Sequence, residues 1–371
     1  MIVLILGVII FIYIVAIGLL IFGFNKVNYF DRSILMPILK DAVTKFTIIV
    51  PFRNEEFNLP VLLESFTKLS YPVHLFEVIL VDDESSDRFE IEKTEYKIQV
   101  IKNKRVSNSP KKDAITTAMQ YVTSEWVITT DADCVVPKNW LLTLDNYIQR
   151  ENVAMIAAAV TYKCGDSFLE HFQQLDLASL QGATIGSFGL KKAFMCNGAN
   201  FAYTKSLFKQ LNGFNGNDKI ASGDDVFLLQ KAVERFPEQV HFLKSNEAIV
   251  TTKPLHNWKS LFHQRVRWAS KTSSYQSSFG KFLGLIVFAG NLTIISSLGL
   301  SLIGYLSWIT TLLLAITKLI FDSVLISKAN YFMTTTTKRF LILSSFLYPF
   351  FSVIVALYSL SGKYEWKGRR F

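Results

Sequence analysis

Cysteine is scarce in this sequence. The three present, Cys134, Cys164 and Cys196, are odd in number and widely spaced, which argues against a disulfide framework or a thiolate zinc site. A reducing compartment fits. No G-x-G-x-x-G follows the first apolar run after residue 45, so the dinucleotide fingerprint is missing. There is no internal repeat and no low-complexity linker. Charge is absent from residues 2–24. No basic segment precedes that stretch and no small-x-small site follows it, so a cleaved signal peptide is disfavoured. Its length spans a bilayer as a helix, and residues 1–25 are expected to be a retained anchor.

Half of the residues are hydrophobic, too many for a plain soluble enzyme, and the net charge is +9. That charge suits nucleic acid, an anionic membrane surface or phosphate-bearing substrates. Lys26, Arg32, Lys40 and Lys45 follow the anchor and nothing basic precedes it, which places the next domain in the cytoplasm. Apolar stretches at roughly 282–303, 305–326 and 340–361 are each long enough to span. Lys318 and Asp322 lie four apart near the end of the second and could pair or snorkel there. Three full spans would put the tail outside, whereas Lys363, Lys367, Arg369 and Arg370 favour the inside. Pro349 leaves re-entry of the last stretch open.

Between these apolar ends, strands and helices alternate. Strands are expected at Phe46–Val50, Glu77–Val81, Gln99–Lys102, Trp126–Thr130 and Met155–Val160. Helices are expected at Leu59–Leu69, Lys111–Val122, Ser167–Gln181, Val226–Phe236 and Trp258–Ser270. This order predicts a mostly parallel sheet with right-handed crossovers. The Gly-rich apolar segment Ala183–Ala193 suits either a membrane surface or core packing.

Polar and acidic residues cluster after the strands, where α/β sheets bind ligands. Trp126–Thr130 runs into Asp131-Ala132-Asp133. In an extended segment the two carboxylates would point the same way and could share a hard divalent cation; an ordinary acidic turn has the same composition. Asp224-Asp225 opens a helix, where capping alone would explain two acids. Gln264, Arg267 and Trp268 fall on one helical face, which also describes a basic interfacial helix anchored by Trp268.

Five pieces in order carry a resemblance: Val50-Pro51-Phe52-Arg53-Asn54-Glu55-Glu56, Val81-Asp82-Asp83-Glu84-Ser85-Ser86-Asp87, Asp131-Ala132-Asp133, Gly223-Asp224-Asp225 and Gln264-Arg265-Val266-Arg267-Trp268. Together they resemble the membrane-anchored family 2 glycosyltransferases. The resemblance implies an α/β GT-A fold, the nucleotide-diphospho-sugar transferase type. Its mixed sheet is flanked by helices, with transmembrane helices at both ends of the chain. It implies a catalytic domain over 45–272, a membrane region over 282–362 and a basic tail over 363–371.

By the same resemblance, Asp83 reads the uracil edge of a UDP-sugar, with Pro51 and Glu55 shaping the pocket. Lys111 approaches the diphosphate, although Pro110 stands where many relatives have Gly. Asp131 faces the nucleotide and Asp133 holds a divalent metal, Mn²⁺ or Mg²⁺. Asp225 is the catalytic base beside Asp224, where the family often has Glu-Asp. Gln264, Arg267 and Trp268 close over diphosphate and acceptor, and Gly198, Ala199, Asn200 and Trp268 mark the acceptor region.

The chemistry needs these residue types. A sugar hydroxyl is a poor nucleophile, so a carboxylate takes its proton during attack. The leaving diphosphate develops charge that a metal and an arginine stabilise. Single displacement inverts the anomeric carbon. The expected partners are a nucleotide-sugar donor, a lipid or lipid-linked acceptor and a bacterial inner membrane, with no nucleic acid. Rival readings are a processive polysaccharide synthase, for which three C-terminal stretches look few, and a nucleotide-binding membrane protein without activity. The latter is expected to show repeated halves or broken polar spans, and neither is clear here.

Overall fold

The computed structural model describes residues 1–31, 42–91, 93–217, 220, 222–334, 338–361, 365–366 and 369–370. Arg32, Lys40, Lys363 and Lys367, and the side chains of Arg369 and Arg370, lie outside the described residues. The elements run α1 (Ile2–Lys26), β1 (Phe46–Phe52), α2 (Leu59–Thr67), β2 (Phe76–Asp82), β3 (Lys97–Lys102), α3 (Pro110–Ala118) and β4 (Trp126–Thr129). There follow β5 (Cys134–Val135), α4 (Trp140–Arg150), β6 (Met155–Ala158), β7 (Val160–Tyr162), α5 (Phe168–Gly189), β8 (Phe201–Thr204), α6 (Lys205–Gln210) and α7 (Asp224–Arg235). The chain continues through β9 (Val240–Leu243), β10 (Val250–Thr252), α8 (Trp258–Ser270), α9 (Ser278–Leu302), α10 (Trp308–Met333) and α11 (Leu341–Ser359). They form two compact units. One is Val27–Lys163 with Ala193–Lys253; the other is Met1–Lys26, Cys164–Lys192 and Pro254–Phe371. Residues 164–192 and 254–272 of the span 45–272 fall in the second of these.

The first unit is built on a mixed sheet in the order β3-β2-β1-β4-β8-β6-β9. β1 to β4 are parallel neighbours, and β8 runs antiparallel to β4 and β6. Strands covered on both faces need continuous apolar runs, and β1 supplies one, buried at every residue but Pro51. Pro51 is tolerated because β4 stops pairing at Thr129, opposite Ile49. Beyond that point β1 lacks a partner on this side, so the missing N–H removes no ladder bond.

The strand expected at Met155–Val160 divides. β6 stays in the large sheet, while β7 joins a second sheet of order β5-β10-β7. Asn200 pins the switch: its amide donates to Ala159 O at 2.8 Å and Ala248 O at 2.7 Å, and its oxygen accepts from Trp140 Nε1 at 3.0 Å.

The second unit is helical. Its α5 carries on into the Gly-rich segment as far as Gly189, and there it packs against neighbouring helices. A Cβ on Gly186 would lie 2.5 Å from Leu20 O, and one on Gly182 would lie 2.9 Å from Leu325 Cγ. Small residues let the helix backbones approach that closely. Lys318 and Asp322 pair at 2.6 Å as expected, and Tyr13 Oη donates to Asp322 at 2.5 Å. Pro349 lies inside a continuous α11. Among the described residues, α1, α9, α10 and α11 are long and apolar enough to cross a membrane, and they mark a membrane-associated chain.

Candidate active site

The centre of the first unit lies where β4 ends. Asp131 leaves the strand with its Oδ1 accepting from Lys111 Nζ at 2.7 Å. The chain does not stay extended here, because it turns at Ala132 and Asp133 and Cys134 N–H returns to Asp131 O at 3.2 Å. The alternation argument for two parallel carboxylates therefore fails: both sit in a turn. Asp133 Oδ1 accepts from Cys134 Sγ at 3.7 Å. Burial, with Asp133 and Asp131 beside it, pushes the Cys134 thiol well up. It packs as a thiol, in keeping with a site of hard oxygen ligands.

Lys111 connects this turn to the acidic start of α7. Its Nζ lies 3.4 Å from Asp224 Oδ2. Burial by itself lowers the Lys111 ammonium, but Asp131, Asp224 and Asp225 outweigh it and hold the group above its ordinary value. Gly223 caps α7 at φ +83°, a left-handed conformation that glycine adopts without strain. Asp225 Oδ2 accepts from Gly198 N at 2.8 Å, and Oδ1 from Val226 N at 2.7 Å. Gly198 is fixed in turn by Thr129 Oγ1, which donates to its carbonyl at 2.9 Å. A Cβ on Gly198 would stand 3.1 Å from Lys111 Nζ and 3.2 Å from Asp224 Oδ2. The glycine lets the lysine, both acids and the strand end gather at one point.

A second polar pocket forms after β2. Asp83 is buried, with Oδ1 accepting from Asn103 Nδ2 at 2.7 Å and lying 3.5 Å from Arg105 Nη1. Arg53 Nη1 donates to Asp83 O at 2.7 Å. The loop after β1 is laced to the loop after β2: Ser86 N donates to Asn54 Oδ1 at 2.8 Å and Glu56 N to Asp87 Oδ2 at 2.8 Å. Arg53, Asn103 and Arg105 were not singled out from sequence. Arg53 stood inside a quoted motif. Asn103 and Arg105 carry no signal beyond following a strand.

Other expected residues divide. Glu55 accepts from Asn58 Nδ2 at 2.7 Å and helps to open α2. Pro51 is half-buried and pairs with Val81 of β2, two residues before Asp83. Gly198 belongs to the cluster, but Ala199 and Asn200 are buried in the core. Asn200 has its amide committed to the sheet switch. Gln264, Arg267 and Trp268 belong to the helical unit, together on α8. There Arg265, buried, pairs with Asp176 at 2.5 Å and lies 4.2 Å over the Trp268 ring.

Among the described residues, no three His, Cys, Asp or Glu stand close enough to hold a metal by themselves. Asp131 and Asp133 are oxygen donors, so this site fits a hard cation held by one or two carboxylates together with substrate phosphates.

A family model described as glycosyl transferase family 2 matches residues 47–211. The probable glycosyltransferase YdaM of Bacillus subtilis (strain 168) is 24% identical over 259 residues, 67% of this chain and 60% of that protein. The beta-monoglucosyldiacylglycerol synthase of Trichormus variabilis is 29% identical over 115 residues, 30% of this chain and 25% of that one. The match therefore spans less than two thirds of either curated relative. Among solved structures, the mannosyltransferase PcManGT from Pyrobaculum calidifontis, in complex with GDP-Man and Mn²⁺, is similar with a TM-score of 0.62 at 15% identity. That likeness covers 96% of this chain and 99% of the other, and it is one of fold.

Proposed function

The family 2 glycosyl transferase model matches residues 47–211 and the fold is GT-A, and from that premise we propose that the chain is an inverting family 2 glycosyltransferase. It moves a hexose or N-acetylhexosamine from a nucleotide-sugar, first of all a UDP-sugar, to a lipid or lipid-linked acceptor. The acceptor lies at the cytoplasmic face of a bacterial inner membrane. The observation that carries the reading is the meeting of Lys111, Asp131, Asp224 and Asp225 around Gly198. A cation and three carboxylates held this closely suit a diphosphate leaving group and a hydroxyl nucleophile.

Asp225 takes the acceptor's proton, its carboxylate aimed by the Gly198 and Val226 N–H groups. Lys111 meets the diphosphate as charge develops on the leaving oxygen. Asp83 accepts from a base N–H. Asp131 and Asp133 are the residues that would hold a divalent cation, which when bound supplies charge for the leaving diphosphate. Arg267, Gln264 and Trp268 are carried by the resemblance alone. The lipid acceptor is supported by the four apolar helices and by what the Trichormus relative is called.

The test uses purified protein in detergent with Mn²⁺. UDP-glucose, UDP-galactose, UDP-N-acetylglucosamine and GDP-mannose are supplied singly, with and without a bacterial polar lipid extract. Nucleotide release that requires lipid, with a lipid product heavier by one sugar, is expected. Release indifferent to lipid, or a polymer product, would overturn the acceptor assignment.

A further inference from the structure

Lys112 is 2% exposed, which is unusual for lysine. Resting on the reading of Asp225 as the base, we propose that Lys112 is a positioning residue. It holds the carbonyls of Asn217 and Ile220, which precede Asp224-Asp225 in the chain, against the helix that bears Lys111. Consecutive residues on a helix diverge by ~100°, and the two lysines serve different partners. Lys111 faces the acids. Lys112 Nζ donates to Asn217 O at 2.6 Å and Ile220 O at 2.8 Å, and lies 5.0 Å over the Phe227 ring of α7. A buried ammonium must be hydrogen-bonded to be tolerated, so these acceptors fix the carbonyls as firmly as they fix the lysine.

Gly213, Gly216 and Gly223 all have positive φ, at +50°, +85° and +83°, and glycine backbone has many alternatives. Lys231 of α7 donates to Gly213 O at 2.8 Å and Asn215 O at 2.7 Å. Those bonds tie Gly213 and Asn215 to α7. Lys112 supplies the tie to α3, so the base and the diphosphate lysine share one frame.

A misplacement of about 1 Å can cost ~10²-fold in rate. Lys112→Met, which keeps the buried volume apolar, is therefore expected to lower the single-turnover rate by about 10- to 100-fold. Donor affinity, read calorimetrically with UDP and Mn²⁺, should stay within about threefold because Lys111 and Asp83 are retained. The decisive measurement is a cycle with Asp225→Asn, using the best of the four donors and the lipid extract named above. Beside Asp225→Asn there is no base to position, and Lys112→Met should then cost less than about threefold. An equal cost in both backgrounds, or a loss confined to donor affinity, overturns the role of Lys112. An Asp225→Asn enzyme with wild-type rate instead overturns the base assignment itself. If Lys112→Met does not fold, Phe227→Leu enters the same cycle. A rate loss that vanishes beside Asp225→Asn supports the proposal, and one that persists overturns it.

Discussion

Lys111 and Asp131 stand 2.7 Å apart, ammonium to carboxylate, at the point where the central strand β4 gives out. The pair joins two regions remote in sequence, and it bears on what the site does with negative charge. Because the folded pKa of Lys111 is raised by Asp131, Asp224 and Asp225 against the opposing effect of burial, its stabilising contribution is complete at neutral pH. That contribution is lost only as pH climbs through the raised value. Lys111→Met should leave the shape of the activity profile between about pH 6 and 9 unchanged. It should weaken UDP binding by about 10- to 100-fold, the worth of a charge-assisted hydrogen bond. Calorimetric titration with UDP checks this, and unchanged affinity would remove Lys111 from the diphosphate.

Asn200→Ala should cost stability rather than acceptor affinity. The substitution strands Ala248 O and Trp140 Nε1, each a buried group worth about 1–3 kcal/mol if left unsatisfied, while Ala159 O keeps the Val250 N–H at 3.1 Å. A thermal melt reports the loss. A stable variant with a raised acceptor KM would return Asn200 to the acceptor site.

The parallel strands β1 to β4 were legible because β-branched apolar runs alternate with helical ones, and Phe46, Glu77 and Trp126 each begin or fall in a strand where expected. Sequence could not show that Ala159 ends one sheet and begins the approach to another, since both halves are equally apolar. Nor could it show that α5 passes unbroken through Gly182 and Gly186. Glycine reads as a helix breaker until a neighbouring backbone occupies the space it leaves. The acids of the site stood out as motif residues. Asn103, Arg105 and Lys112 did not, because their importance comes from partners brought near only by folding.

Chelation by EDTA should abolish turnover, and Mn²⁺ or Mg²⁺ should restore it. Asp133→Ala should lose activity with its melting temperature kept, since a residue in the turn beyond β4 supports little of the core. Full activity in chelator would remove the metal from the account.

Arg267→Lys should fail despite keeping the charge, because a planar guanidinium grips a diphosphate bidentately and an ammonium does not. Steady-state kinetics on this variant decide it. Normal turnover would leave α8 as an anchoring helix only.

The most direct test of the central claim is a single-turnover comparison of Asp225→Asn with Asp224→Asn, with UDP affinity measured on each. An amide keeps one acceptor oxygen, enough to hold either Gly198 N or Val226 N, but it cannot take a proton. Asp225→Asn should therefore keep its fold and its UDP affinity and lose sugar transfer by about 10²- to 10⁴-fold or more. Asp224→Asn should be milder, since Asp224 faces Lys111. If Asp224→Asn is dead while Asp225→Asn transfers sugar at the wild-type rate, the base is not Asp225.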